Sequence, residues 1–160
     1  VTGTNYIIGI DPGTACGWAV LREEDGERVA SGVWDLRPRR HEGGGMRYLR
    51  VRRYLRELLE AYPPVEVAYE EVRAHLGVDA AHVYGGIVAA VTGLCEEVEV
   101  PYEGVPVATI KRTATGKGNA AKPAVKAAAV TRWGEVADDN EADALWVAEV
   151  ARGGRWGTGE

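Results

Sequence analysis

The sequence predicts an α/β domain built on a mixed five-stranded sheet flanked by helices, and three observations carry that expectation. Short apolar runs closed by turn residues recur as strands, longer stretches carry helical spacing, and the strands come first as a meander and then alternate with helices. At 160 residues, 46% of them hydrophobic, the chain can bury the core of one domain, expected over residues 1–152 with a Gly-rich mobile tail at 153–160.

Tyr6 to Ile10 is apolar and closed by Asp11-Pro12-Gly13, the pattern of a buried strand ending in a turn. Gly17 to Arg22 and Arg28 to Trp34 follow as strands, joined by the acidic turn Glu23 to Glu27 into an antiparallel meander. After a Pro/Gly/Arg loop from Arg37 to Gly45, Tyr48, Val51, Leu55, Leu58, Leu59 and Tyr62 recur at helical spacing until Pro63-Pro64 stops them. Val65 to Val72 is Val-rich and short, as a buried parallel strand should be, and it delivers Glu70 and Glu71. The next helix is expected from Asp79, as N-cap, to about Glu97, and it contains Gly85, Gly86, Ala89, Ala90 and Gly93. Glycine costs about 1 kcal/mol inside a helix, so this many predict a close backbone approach, either to a partner helix or to the chain's own sheet. Val105 to Ala108 reads as the fifth strand, and Ala120 to Trp133 and Asp139 to Ala151 as the last helices.

Composition excludes several function classes. No run of 18 apolar residues and no secretory layout at the start is evident, so a cytoplasmic protein without a membrane is expected. Cys16 and Cys95 make neither a disulfide framework nor a zinc cluster, so any metal must be held by oxygen or histidine. His41, His75 and His82 lack metal-ligand spacing and read as ordinary surface or core residues. The net charge of −5 argues against a nucleic-acid protein until its distribution is considered. All four lysines, Lys111, Lys117, Lys122 and Lys126, lie with Arg112 and Arg132 in one stretch free of acids between Glu103 and Glu135. A second basic run from Arg37 to Arg56 is either a binding surface or a solvated helix face. Arginine exceeds lysine fifteen to four, which fits a high-GC source such as a phage or thermophile.

Three acids stand where an acid is costly. Asp11 closes Ile7-Ile8-Gly9-Ile10, Glu70 ends a Val-rich strand, and Asp143 sits in the apolar stretch Ala142-Asp143-Ala144-Leu145-Trp146. A buried carboxylate is unfavourable unless paired or metal-bound, so convergence of the three would invite a cation. Phosphodiester hydrolysis at neutral pH uses two divalent ions about 3.5–4 Å apart, and Mg²⁺ or Mn²⁺ wants such oxygen ligands.

Gly9-Ile10-Asp11-Pro12-Gly13-Thr14, Ala68-Tyr69-Glu70-Glu71-Val72 and Glu141-Ala142-Asp143-Ala144-Leu145 resemble, in order, the acidic motifs of the RuvC family of Holliday-junction resolvases. Ile110-Lys111-Arg112-Thr113, Thr115-Gly116-Lys117-Gly118, Ala120, Lys122 and Val125 resemble that family's segment with two DNA-contacting lysines, by position Lys111 and Lys122. The resemblance implies a ribonuclease H-like fold, two Mg²⁺ or Mn²⁺ ions per site and no small-molecule cofactor. It also implies a homodimer making paired nicks across a four-way DNA junction. The ions would be held by Asp11, Glu70, Asp143 and a fourth ligand. DNA would meet Lys111, Arg112, Lys117, Lys122 and Arg73, with Lys122 also offsetting charge on the reacting phosphate. Gly85, Gly86 and Ala89 take the place of the family's dimer helix.

Two departures from the family stand out. The usual fourth acidic ligand, three residues before the last Asp, is Asn140 here, and Asp139, one turn before Asp143, is the alternative. The family's aromatic residue after the second motif is Arg73 here, leaving Tyr69, Tyr84 or Arg73 for any stacking on DNA. Three other readings stay open: a related nuclease acting on flaps or forks, a junction-binding protein with a weakened site, and an actin-like ATP-binding phosphotransferase. The last would need a second domain and a second phosphate loop.

Overall fold

In the computed structural model, which describes residues 3–75 and 77–155, five strands form one sheet. These are β1 (Tyr6–Asp11), β2 (Ala15–Arg22), β3 (Arg28–Asp35), β4 (Pro64–Glu71) and β5 (Tyr102–Pro106), in the spatial order β3-β2-β1-β4-β5. The meander pairs antiparallel, whereas β4 and β5 add in parallel after crossovers, so the sheet is mixed as expected. The helices are α1 (Gly45–Ala61), α2 (Val78–Val98), α3 (Val107–Thr115), α4 (Lys122–Trp133) and α5 (Asp139–Arg155).

Alternation along the strands splits the core into two layers. Ile8, Ile10, Val20 and Val67 face α1 and α2, where Val51, Leu55, Ile87, Val91 and Leu94 cover them. Ile7, Ala19, Leu21 and Ala68 face the opposite way, onto Ala144, Leu145, Val147 and Ala148 of α5, with α3 and α4 outside it. Asp11 and Glu70 have the parity of this second set, so their side chains leave the sheet on the α5 face.

Glycine lets α5 come close. A Cβ at Gly17 would overlap the Asn140 carbonyl, and one at Gly9 would overlap the Ala144 carbonyl and lie 2.7 Å from the Ala148 nitrogen. The start of α5 is then fixed to β3. Asp138 Oδ1 accepts from the Glu141 amide at 2.9 Å, as an N-cap does. Glu141 Oε1 accepts from the Ala137 amide at 2.6 Å and its Oε2 accepts from Ser31 Oγ at 2.5 Å.

Several expectations need correction. The strand expected at 105–108 stops at Pro106, and 107–115 is a helix, because Pro106 takes an extended N-cap conformation while Gly116, at φ +86°, closes the other end. Asp79 is not the N-cap of α2; Gly77 is, and Asp79 lies in the first turn, where its charge suits the helix dipole. The tail was expected to begin at 153, but α5 continues through Gly153 and Gly154 to Arg155; residues 156–160 lie outside the described residues. By length and composition α2 would suffice to cross a membrane, yet Ile87, Val91 and Leu94 bury one side of it against the sheet.

Candidate active site

The ends of β1 and β4 lie side by side, with Ile10 opposite Tyr69 in the parallel register, so Asp11 and Glu70 follow as neighbours on one face. α5 crosses that face and supplies Asp143 from its second turn. The ligand oxygens of Asp11, Glu70 and Asp143 lie within 4.8 Å of one another, and this is the one such group of three or more metal-binding side chains among the described residues. Acids separated by 59 and 73 positions in the chain therefore share one small volume.

Electrostatics shows the strain of that arrangement. Burial and the charges of Glu70 and Asp143 hold the Asp11 carboxyl well above the usual carboxylate range. Burial and Glu70 push Asp143 up to about 7, with a further contribution from Asp139. Lys122 works in the opposite sense on both, and Lys111 on Asp143. A cluster of carboxylates that retains protons for want of positive charge is the donor set that a divalent cation fits. Cys16, behind Asp11, is buried, and burial together with the Asp11 charge raises its thiol, so it remains a neutral packing group.

The other expected residues divide. Lys111 on α3 and Lys122 at the start of α4 are near enough for their charges to act on the acids, whereas Arg112 and Lys117 are exposed. Gly116 serves as the C-cap of α3, and Gly118 packs against Arg112 and Ala108. Asn140 turns its amide nitrogen toward Asp138 Oδ2 at 3.3 Å, while Asp139 stands outside the three-acid cluster but acts on Asp143 through its charge. Arg73 is 85% exposed and pairs with Glu71 at 3.1 Å. Of the three small residues expected at an interface, Gly86 meets Tyr48 of α1 within the same chain, so close packing inside the domain explains it; Gly85 and Ala89 are exposed. Four of the eight arginines of the second basic run form ion pairs: Arg37 with Asp35, Arg50 with Glu42, and Arg52 and Arg56 with Glu97.

Two features of the site escaped the sequence reading. Gly9 and Gly17, which admit α5, look like ordinary strand glycines until a helix is laid across them. The sequence offers Tyr84 only as a stacking residue. Its hydroxyl instead accepts a hydrogen bond from the Val72 amide at 2.9 Å and donates one to the Glu70 carbonyl at 2.8 Å. Its ring borders a cleft of about 440 Å³ beside the site, shared with Pro12, Gly13, Thr14, Val72 and Asp79. Tyr69 packs against the α1–α2 layer of the core.

Comparison with known proteins matches this geometry. The sequence profile of the family described as crossover junction endodeoxyribonuclease RuvC matches residues 7–150. The chain is 33% identical over 122 residues to the crossover junction endodeoxyribonuclease RuvC of Nitratidesulfovibrio vulgaris, covering 74% of this chain and 72% of that protein. It is 30% identical over 146 residues to the protein of the same name from Dehalococcoides mccartyi, covering 89% and 87%. Among solved structures it resembles T. thermophilus RuvC in complex with Holliday junction substrate, at 25% identity and a TM-score of 0.80 over 91% of this chain and 92% of that one.

Proposed function

The chain belongs to the crossover junction endodeoxyribonuclease RuvC family, and from that premise we propose that it is a cytoplasmic, homodimeric endonuclease that resolves four-way DNA junctions by paired nicks. The observation that carries the reading is the convergence of Asp11, Glu70 and Asp143 within 4.8 Å, beside the chain's concentration of lysine.

Asp11, deepest in the site at 9% exposure, would hold the divalent ions together with Glu70 and Asp143. Asp139 is favoured as the fourth ligand over Asn140, because it is a carboxylate whose charge already bears on Asp143, whereas Asn140 offers a neutral amide oxygen that binds a cation more weakly. When bound, Mg²⁺ or Mn²⁺ would supply a nucleophile at neutral pH and neutralise charge on the leaving 3′ oxygen. Lys122, whose charge already acts on Asp11 and Asp143, would meet a phosphate held at the carboxylates. Lys111, Arg112, Lys117 and Arg73 would hold flanking backbone, which sets register rather than sequence.

An ATP-binding phosphotransferase would need a second domain and phosphate loop, and it gives no role to Glu70 and Asp143 together. Cleavage of a synthetic four-way junction, a linear duplex and a flap, each with Mg²⁺ or Mn²⁺, tests the reading. The junction should be cut symmetrically and preferred, and Asp11→Asn should bind it without cutting. Full activity in Asp11→Asn, or a preference for the flap, would overturn the assignment.

A further inference from the structure

We propose that Tyr84 is a positioning residue that holds the end of β4, and with it Glu70, in place against the repulsion of the carboxylate cluster.

The backbone pattern shows why a tether is needed at this point. The parallel register of β1 and β4 ends at Ile10 opposite Tyr69, whereas β4 continues beside β5 as far as Glu71 opposite Pro106. The Val67 amide donates to the Pro101 carbonyl, toward the β5 side, at 2.9 Å. Alternation therefore turns the Glu70 carbonyl and the Val72 amide toward β1. Beyond Asp11 the chain departs through Pro12, which has no amide proton to offer. The Tyr84 hydroxyl stands in this place. It accepts from Val72 and donates to Glu70, so one oxygen reproduces both halves of a missing ladder contact. Because Tyr84 belongs to α2, whose Ile87 and Val91 are fully buried, the contact ties the strand end to a fixed element. On its other side the ring rests against His75 at 4.9 Å between centroids.

The load on this contact comes from the site. Three carboxylates within 4.8 Å repel one another, and Glu70, one residue past the end of pairing with β1 and one before the end of pairing with β5, is the one whose backbone can yield. Releasing the tether should let Glu70 swing outward, weakening cation binding before it affects DNA binding. The inference rests on the nuclease reading, since only a cation site gives the position of Glu70 its value.

Tyr84→Phe removes both hydrogen bonds and keeps the ring. Mn²⁺ affinity measured calorimetrically without DNA should fall by about 10–100-fold, the usual consequence of losing a group that orients a ligand. Junction affinity in EDTA should stay within about two-fold, and raised Mn²⁺ should restore cleavage. His75→Ala loosens the same loop but leaves both hydrogen bonds, and it should bind Mn²⁺ as the parent does. An unchanged Mn²⁺ affinity in Tyr84→Phe, or an equal loss in His75→Ala, overturns the proposal. Should Tyr84→Phe fail to fold, hydrogen exchange in the parent decides: the Val72 amide must be protected, and free exchange there overturns the proposal. The parent and Glu70→Gln together separate this inference from its premise. If the parent itself neither binds Mn²⁺ nor cuts a junction, the nuclease reading is wrong; if Glu70→Gln binds Mn²⁺ and cuts like the parent, Glu70 is no ligand and the tether proposal falls with it; if Glu70→Gln is inactive while Tyr84→Phe behaves like the parent, only the tether is wrong.

Discussion

Asp143 is the residue whose chemistry is most sharply set by its neighbours. Unfolded, its carboxyl would titrate in the ordinary acid range; in the folded chain, burial and Glu70 carry it to about 7. An acid whose folded value is raised contributes stability that is present at low pH and lost as pH rises through that value. The metal-free protein should therefore lose on the order of 1–4 kcal/mol between about pH 4 and pH 8 from this residue, less where solvent screens it. Asp143→Asn should remove most of that slope, melting higher than the parent at pH 8 and close to it at pH 5. Added Mn²⁺ should stabilise the parent at pH 8 far more than at pH 5, since a proton and a cation compete for the same oxygens. Thermal melts across that pH range, with and without Mn²⁺, check both statements, and a flat pH profile in the parent would contradict them. The three acids were legible in sequence because each interrupts an apolar stretch. Asn140 and Tyr84 were not, because their roles depend on hydrogen bonds to Asp138, Glu70 and Val72, which no spacing rule encodes.

α5 is the element that assembles the site, and what it demands of the sheet is emptiness. Gly9 and Gly17 remove two side chains exactly under its first three turns in register terms: Gly17 lies opposite Asp11 in the β1–β2 pairing, and both glycines meet α5 backbone. Gly17→Ala would force the Asn140 carbonyl outward, three residues before Asp143. Overpacking of this kind costs about 1–3 kcal/mol, and a misplaced catalytic group can cost about 100-fold in rate. Gly153→Ala is the matched control, because its Cβ would enter open space near the end of α5 and should gain about 0.5–1 kcal/mol from helix propensity. Denaturant melts and single-turnover cleavage of both variants should show loss of stability and rate for Gly17→Ala only. The strands and the long helices could be read from periodicity, since alternation and Pro63-Pro64 mark them plainly. α3 could not: Val105 to Ile110 is as apolar as a strand, and only the conformations of Pro106 and Gly116 distinguish a helix that begins after one and ends at the other.

At the scale of the whole molecule, an acidic chain presents one lysine-rich rim beside its carboxylates and, on the opposite sheet face, a helix with an exposed stripe of small and apolar residues. Val78, Gly85, Ala89 and Gly93 recur along α2 at spacings of seven, four and four residues, all exposed, and nothing lies within 4 Å of a Cβ built at Gly85 or Gly93. A junction must be cut on two opposed strands, so one active site is not enough, and a two-fold pairing of α2 with its own copy would fix two sites in a set relation. Small residues let two helix backbones approach closely, and residues near the axis meet themselves. Ala89→Arg tests this directly, because arginine is a good helix former and the position is exposed, so the isolated fold should be undisturbed while two guanidinium groups collide at the axis. Sedimentation at micromolar concentration should then show a monomer where the parent is a dimer. On a plasmid bearing an extruded cruciform the parent should yield linear product, from two coupled cuts, and Ala89→Arg should accumulate nicked circles. A variant that remains dimeric and still linearises the plasmid would mean that the subunits meet through some other surface.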